Sequence, residues 1–149
     1  MPFTAAIKVN FADIDNAGIV YYPRFGHYFH LAMEQFFPAV LDLEYAEALH
    51  KKEVLFPTVH LVADFHNRLS YGDTINMEVK VLDIGNSAIT WGYSGTSALT
   101  GTLIVTGGNV TVCVNKSFKK IPVPAWLRQR LEAYMEESDS SNTVPPPPD

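Results

Sequence analysis

The feature that most constrains this chain is a single change of hydrophobic period. From Pro23 onward, Phe25, Phe29, Ala32, Met33, Phe36 and Phe37 recur at spacings of three and four, the repeat of one apolar helix face. Beyond Phe56 that period disappears. Thr58 to Phe65, Thr74 to Ile84, Ala88 to Thr96 and Leu103 to Val114 are rich in Val, Ile, Thr, Tyr and Phe and are parted by Gly, Asn, Asp and Ser clusters, so they read as four strands. A fifth run, Phe3 to Asn10, alternates ahead of the helix and carries Ile7 and Val9. One helix with a wide apolar face needs a sheet to cover it. The expected class is α+β, a helix segregated to one face of a five-stranded antiparallel sheet.

Punctuation residues set the limits of these elements. Pro23 suits the first helical position, where a missing N–H is harmless, and Pro38 ends or kinks the helix near Phe37. Val40 to Lys52 reads as a second, short helix. Gly85-Asn86 and Thr100-Gly101 fit hairpin turns, and the short connections favour antiparallel neighbours. Gly107-Gly108, inside the last strand, marks a bulge or bend. After Pro122 and Pro124, the residues Trp126, Leu127, Arg130, Leu131 and Tyr134 form a C-terminal amphipathic helix. At 149 residues the chain holds one domain, 1–136, followed by a Ser/Pro-rich tail, 137–149, that has nothing to bury and is expected to be disordered. Exposed sheet edges invite pairing between subunits, which predicts a dimer.

Composition excludes several functions. A net charge of −5 argues against a general nucleic-acid or anionic-membrane surface. No apolar run approaches the ~20 residues of a membrane span, and Met1-Pro2-Phe3-Thr4 lacks the features of a signal peptide, so the expected location is cytoplasmic. Cys113 stands alone; it supports neither a disulfide framework nor a cysteine metal cluster and reads as a small strand residue. His27, His30 and Glu34 share a helix face at ligand-like spacing, but three ligands from one helix rarely close a metal shell.

Chemistry concentrates in Phe11-Ala12-Asp13-Ile14-Asp15-Asn16-Ala17-Gly18-Ile19-Val20-Tyr21-Tyr22-Pro23-Arg24-Phe25. Asp13 and Asp15 resemble the opening of a calcium loop, but position five is Ala17 and position twelve is Arg24, where a bidentate Glu is required. Calcium is rejected. Two readings of Asp15 follow from the residues alone. It can cap the turn through its own backbone, the ordinary role of Asp there, or it can stand opposite a helix N-terminus whose free N–H groups suit a developing oxyanion.

The segment Asp13 to Phe25 resembles the signature of the hotdog-fold acyl-CoA thioesterases, specifically the 4-hydroxybenzoyl-CoA thioesterase type, and the likeness continues loosely to about Trp126. The resemblance implies a long helix wrapped by a curved five-stranded sheet, dimers that often pair into tetramers, and active sites at the subunit interface. It places the catalytic carboxylate at Asp15, which attacks the thioester carbonyl or activates water. The backbone N–H at Tyr22 holds the carbonyl oxygen, and Asp13 fixes the turn. Asn16 stands where some relatives have proline, with no mechanistic cost.

Two departures bear on substrate. His30 occupies the position of a carboxylate that contacts the substrate hydroxyl in the aromatic-acyl relative, so a preference for 4-hydroxybenzoyl does not carry over. The loop Asp83 to Ser87 lacks that relative's basic cluster for the coenzyme A phosphates, for which Lys116, Lys119 and Lys120 are the nearest replacements, against a plain solvated strand end. The implied activity is hydrolysis of an acyl- or aroyl-CoA thioester, with no metal or cofactor. A thioesterase acting on acyl-carrier-protein substrates and a non-catalytic acyl-binding module are the alternatives; a binding module has no need of Asp15 facing a helix start.

Overall fold

The computed structural model describes residues 2–139. The strands are β1 (Phe3–Lys8), β2 (Thr58–Phe65), β3 (Thr74–Ile84), β4 (Ala88–Ser97) and β5 (Leu103–Val112), and the helices are α1 (Arg24–Phe36), α2 (Tyr45–His50) and α3 (Ala125–Asp139). All five strands form one antiparallel sheet in the order β1-β3-β4-β5-β2. This is the α+β hotdog arrangement, with α1 as its filling. The period-3.6 face is what the sheet wraps: Phe25, Tyr28, Phe29, Ala32, Met33 and Phe36 are all buried. Phe29 stacks on Tyr93 of β4 at 4.6 Å, and Phe36 meets Trp91 edge-on at 5.5 Å. The C-terminal helix closes one end with Leu127, Leu131 and Tyr134; the Tyr134 hydroxyl accepts the Phe3 N–H at 2.9 Å and donates to the Val79 carbonyl.

Local breakers act at the expected places, with four differences. Pro23 takes the N-cap instead of the first helical position, its backbone already helical at φ −65° and ψ −19°. The segment 40–52 is not one helix: Pro38 lacks the N–H that would continue the ladder, and the chain makes a wide π turn, Phe37–Leu41, before α2. The Gly107-Gly108 pair is not a bulge. Its register with both neighbours is continuous, and the shifts fall at Thr58/His60, Val81/Asp83 and Gly95/Thr96 instead. Glycine is required there by close approach: a Cβ at Gly107 would lie 2.3 Å from the Val62 carbonyl oxygen, and one at Gly108 2.2 Å from that of Trp91. Finally, α3 runs to Asp139, three residues into the segment assigned to the tail; the rest of that tail lies outside the described residues.

A fifth difference matters most for function. Adjacent in sequence, β2 and β3 do not pair. The segment between them runs across the end of the sheet, from the His66 N–H on the Ile104 carbonyl (2.8 Å) to the Asp73 carbonyl under the Val9 N–H (2.8 Å). It leaves β2 as an edge strand exposed on both faces: Val59 is 64% exposed, and Leu61, Val62 and Phe65 are each about half exposed.

No helix among the described residues is long and apolar enough to cross a membrane. Cys113 is buried, and burial pushes its thiol up to about 11, so it serves packing. Burial likewise raises the hydroxyl pKa of Tyr28, Tyr93 and Tyr134, and that of Tyr45 to about 12; for Tyr28 a hydrogen bond to Asp13 adds to the effect. The unfolded chain ionises its tyrosines near pH ~10. The folded pKa values lie above the unfolded one, so this contribution is whole below pH ~10 and is lost as the pH climbs through the folded values. Melting temperature is expected to fall steadily above about pH 10, with tyrosinate absorbance at these positions appearing together with unfolding. Ionisation of all tyrosines in a still-folded protein contradicts this.

Candidate active site

The site begins with a carboxylate that the fold takes out of solvent. Asp13, only 7% exposed, closes a short 3-10 turn (Phe11–Asp13). Its Oδ2 accepts the Asn10 N–H at 3.0 Å and the buried Tyr28 hydroxyl at 2.9 Å, and Arg24 Nε stands 4.0 Å from Oδ1. Its carbonyl accepts the Tyr21 N–H at 2.8 Å. Asp13 therefore ties β1, the following hairpin and α1 together. Sequence reasoning reached its turn-fixing role but not the Tyr28 partner fifteen residues on. The available signal was a tyrosine within an apolar helix face, where its hydroxyl must find an acceptor.

From Asp13 the chain folds back in a tight antiparallel ladder, with Ile14 opposite Val20 and Ile19 opposite Ser70. Asp15 stands at the tip. Its backbone is pinned at both ends, N–H to the Ile19 carbonyl at 3.0 Å and carbonyl to the Gly18 N–H at 3.0 Å, and Gly18 takes φ +76°, which suits only glycine at low cost. The Asp15 side chain is exposed. Oδ1 accepts the Ala17 N–H at 2.8 Å, and Oδ2 accepts no hydrogen bond from the described residues. The turn-capping role and a free carboxylate oxygen thus coexist, because the cap uses one oxygen only.

The returning strand delivers Tyr22 to the mouth of α1. Arg24, Phe25 and Gly26 donate to the carbonyls of Tyr21, Tyr22 and Pro23, which turns the chain into the helix, and the Tyr22 N–H has no acceptor among the described residues. That N–H lies at the positive end of the helix dipole. The Tyr22 ring is exposed and meets Phe65 of β2 at 6.3 Å. Further along the same helix side, a Cβ on Gly26 would lie 3.3 Å from Leu61 Cδ2. One turn on from Gly26, ~6 Å along the axis, His30 contacts Glu34 at 3.6 Å and packs edge-on to Tyr45. Tyr22 and Gly26 thus lie against Phe65 and Leu61 of the edge strand.

The three lysines are elsewhere. Lys116, Lys119 and Lys120 lie on a hairpin that follows β5, bridged Val114 to Lys120 and attached through Leu55 to the start of β2. Lys116 pairs with Glu53 at 3.2 Å. The fold therefore brings Asp15, Tyr22 and His30 to one helix and its entry loop, and sets the lysines at the opposite end of β2.

The chain matches the family model of the thioesterase-like superfamily over residues 9–131. It belongs to that superfamily. This thioesterase matches no curated protein sequence. Among solved structures it is similar to a 1,4-dihydroxy-2-naphthoyl-CoA thioesterase from Synechocystis, with 24% identity, TM-score 0.77, and 93% of this chain and 98% of that one covered. A gentisyl-coenzyme A thioesterase shares 24% identity at TM-score 0.76, over 85% and 99% of the two chains. A DHNA-CoA thioesterase from Staphylococcus aureus shares 19% at TM-score 0.80, over 95% of each. At these identities the likenesses establish the fold of the thioesterase, which is the hotdog fold that the Asp13 to Phe25 segment implied.

Proposed function

We propose that this thioesterase hydrolyses acyl- or aroyl-CoA thioesters with Asp15 as nucleophile or general base and the Tyr22 N–H as oxyanion donor. The observation that carries the reading is Asp15 itself: a carboxylate held by its backbone, with one oxygen free, on the turn that leads to a helix start whose N–H is unused. Two routes balance. In one, Asp15 Oδ2 attacks the carbonyl carbon, the C–S bond breaks, and water hydrolyses the resulting anhydride. In the other, Asp15 takes a proton from a water that attacks the same carbon. In both, charge develops on the carbonyl oxygen where the Tyr22 N–H can meet it, and the thiolate leaves and takes up a proton.

The acyl group then lies along the side of α1 that carries His30. In the single chain β2 is uncovered, and its apolar side chains face solvent on both sides of the sheet. An edge of that kind calls for a second strand, and a two-fold pairing of β2 with its own copy covers it. The active unit is accordingly a homodimer or a dimer of such dimers. The structural neighbours named for dihydroxynaphthoyl- and gentisyl-CoA support the aroyl end of the range.

A hydrolysis screen over 4-hydroxybenzoyl-CoA, benzoyl-CoA and a medium-chain acyl-CoA tests the activity and His30 together. An imidazole can donate or accept a hydrogen bond where an ionised carboxylate only accepts, so the hydroxylated compound is expected to have no large advantage in kcat/KM. His30→Asp is expected to shift preference toward it. A strong parental preference for the hydroxylated thioester removes His30 from this role; no turnover of any thioester removes the activity.

A further inference from the structure

Asp15 stands on a hairpin too short to hold itself. Residues 14–20 are joined by the Ile14–Val20 bridge and by the backbone bonds at the tip, and a lone two-stranded hairpin is marginally stable in water. A third segment stiffens it. The crossover from β2 to β3 runs beside the returning strand: the Val20 N–H donates to the Leu69 carbonyl at 2.8 Å, the Tyr71 N–H donates to the Gly18 carbonyl at 3.0 Å, and Ile19 stands opposite Ser70. Gly18 is therefore held from two directions, its N–H on the Asp15 carbonyl and its carbonyl under the Tyr71 N–H.

This third segment is itself anchored by a single residue. Leu69 and Tyr71 face the hairpin, so Ser70 between them turns both of its backbone groups the other way, and Asp73 takes both. Asp73 Oδ2 accepts the Ser70 N–H at 2.9 Å, and the Asp73 N–H donates to the Ser70 carbonyl at 3.0 Å. Gly72, at φ +88°, gives the turn a conformation that other residues resist. The Asp73 carbonyl accepts the N–H of Val9, a fully buried residue just past β1, at 2.8 Å. One continuous set of bonds thus runs from the core through Asp73, Ser70 and Tyr71 to Gly18 and Asp15. We propose that Asp73 is a positioning residue for the reaction: its carboxylate closes the turn that holds the crossover against the hairpin, and so fixes Asp15 relative to the Tyr22 N–H. This rests on the role of Asp15 given above. The demand is geometric, since a reacting group misplaced by about 1 Å loses up to ~10²-fold in rate.

Three variants and one exchange measurement test it. With the best-hydrolysed thioester of the screen, and well below each variant's melting temperature, Asp73→Ala is expected to lower kcat ~10-fold or more with KM little changed. Asp73→Asn keeps an oxygen for the Ser70 N–H and is expected to restore kcat to near the parental value. Asp73→Glu keeps the charge but carries the carboxylate one methylene too far, and is expected to stay slow. Where Asp73→Ala does not fold, the Asn and Glu variants decide the matter. Placed on Asp15→Asn, Asp73→Ala is expected to cost almost nothing further, because the group it misplaces no longer reacts; equal losses in the two backgrounds overturn positioning through Asp15. Hydrogen exchange reads the brace without substrate: in Asp73→Ala the Asp15 and Gly18 N–H groups are expected to exchange faster while those of α1 keep their protection. Parental kcat in both Asp73→Ala and Asp73→Glu overturns the proposal, as does unchanged exchange at Gly18, and either result leaves the role of Asp15 standing. Parental kcat in Asp15→Asn sinks that role, and the positioning role with it.

Discussion

Asp15→Asn lowers kcat by ~10²-fold or more, the scale of a lost general base or nucleophile, while melting temperature and oligomeric state stay close to those of the parent. The separation follows from how Asp15 is held. Its backbone bonds to Ile19 and Gly18 do not involve the side chain, the side chain is exposed, and the Asn amide oxygen can still accept the Ala17 N–H that Oδ1 accepts at 2.8 Å. What the substitution removes is the charge on Oδ2. Asp15→Ala is expected to show the same loss of turnover with a slightly looser turn. Single-turnover hydrolysis in ¹⁸O-labelled water tells the routes apart, since label enters the Asp15 carboxylate only when it is the nucleophile. Near-parental kcat in both variants excludes Asp15 from the chemistry.

Asp13→Ala gives the opposite pattern: a loss of stability of about 3 kcal/mol, because two donors lose their acceptor and a buried unsatisfied group costs ~1–3 kcal/mol. For a chain of this size that corresponds to roughly 10 °C in melting temperature. The Tyr28 hydroxyl and the Asn10 N–H are the groups stranded, and Tyr28 is 1% exposed, so water cannot readily replace the carboxylate. If the bond to Tyr28 carries much of the effect, Asp13→Ala costs clearly less in a Tyr28→Phe background than in the parent, and the double-mutant cycle reports the coupling. Additive losses assign the cost to the turn instead. The two aspartates, two residues apart, are thus distinguished by measurement, one through kcat and one through thermal unfolding.

The residues themselves determined a good deal. The switch from a spacing of three and four to strand-like runs defined α1 and all five strands nearly to their ends, since hydrophobic periodicity reports the face that each element must bury. Gly18, Pro23 and Pro38 acted where their backbone limits require. The Asp13 to Phe25 segment named the fold family because its turn and helix entry are local in the chain. Tertiary structure alone decided the rest, and each case is a contact between distant segments. Nothing in the runs around Thr58 and Thr74 says that β2 leaves its sequence neighbour for the far edge, because pairing depends on the path of the 66–73 crossover over the end of the sheet. Gly107 and Gly108 read as a bulge, but the cause lies in the carbonyls of Val62 and Trp91 pressing from the flanking strands. Asp13 and Asp15 look alike in sequence. Only the packing of α1 puts a tyrosine hydroxyl on the first and leaves the second in solvent, because burial is a property of the assembled core and not of the residue.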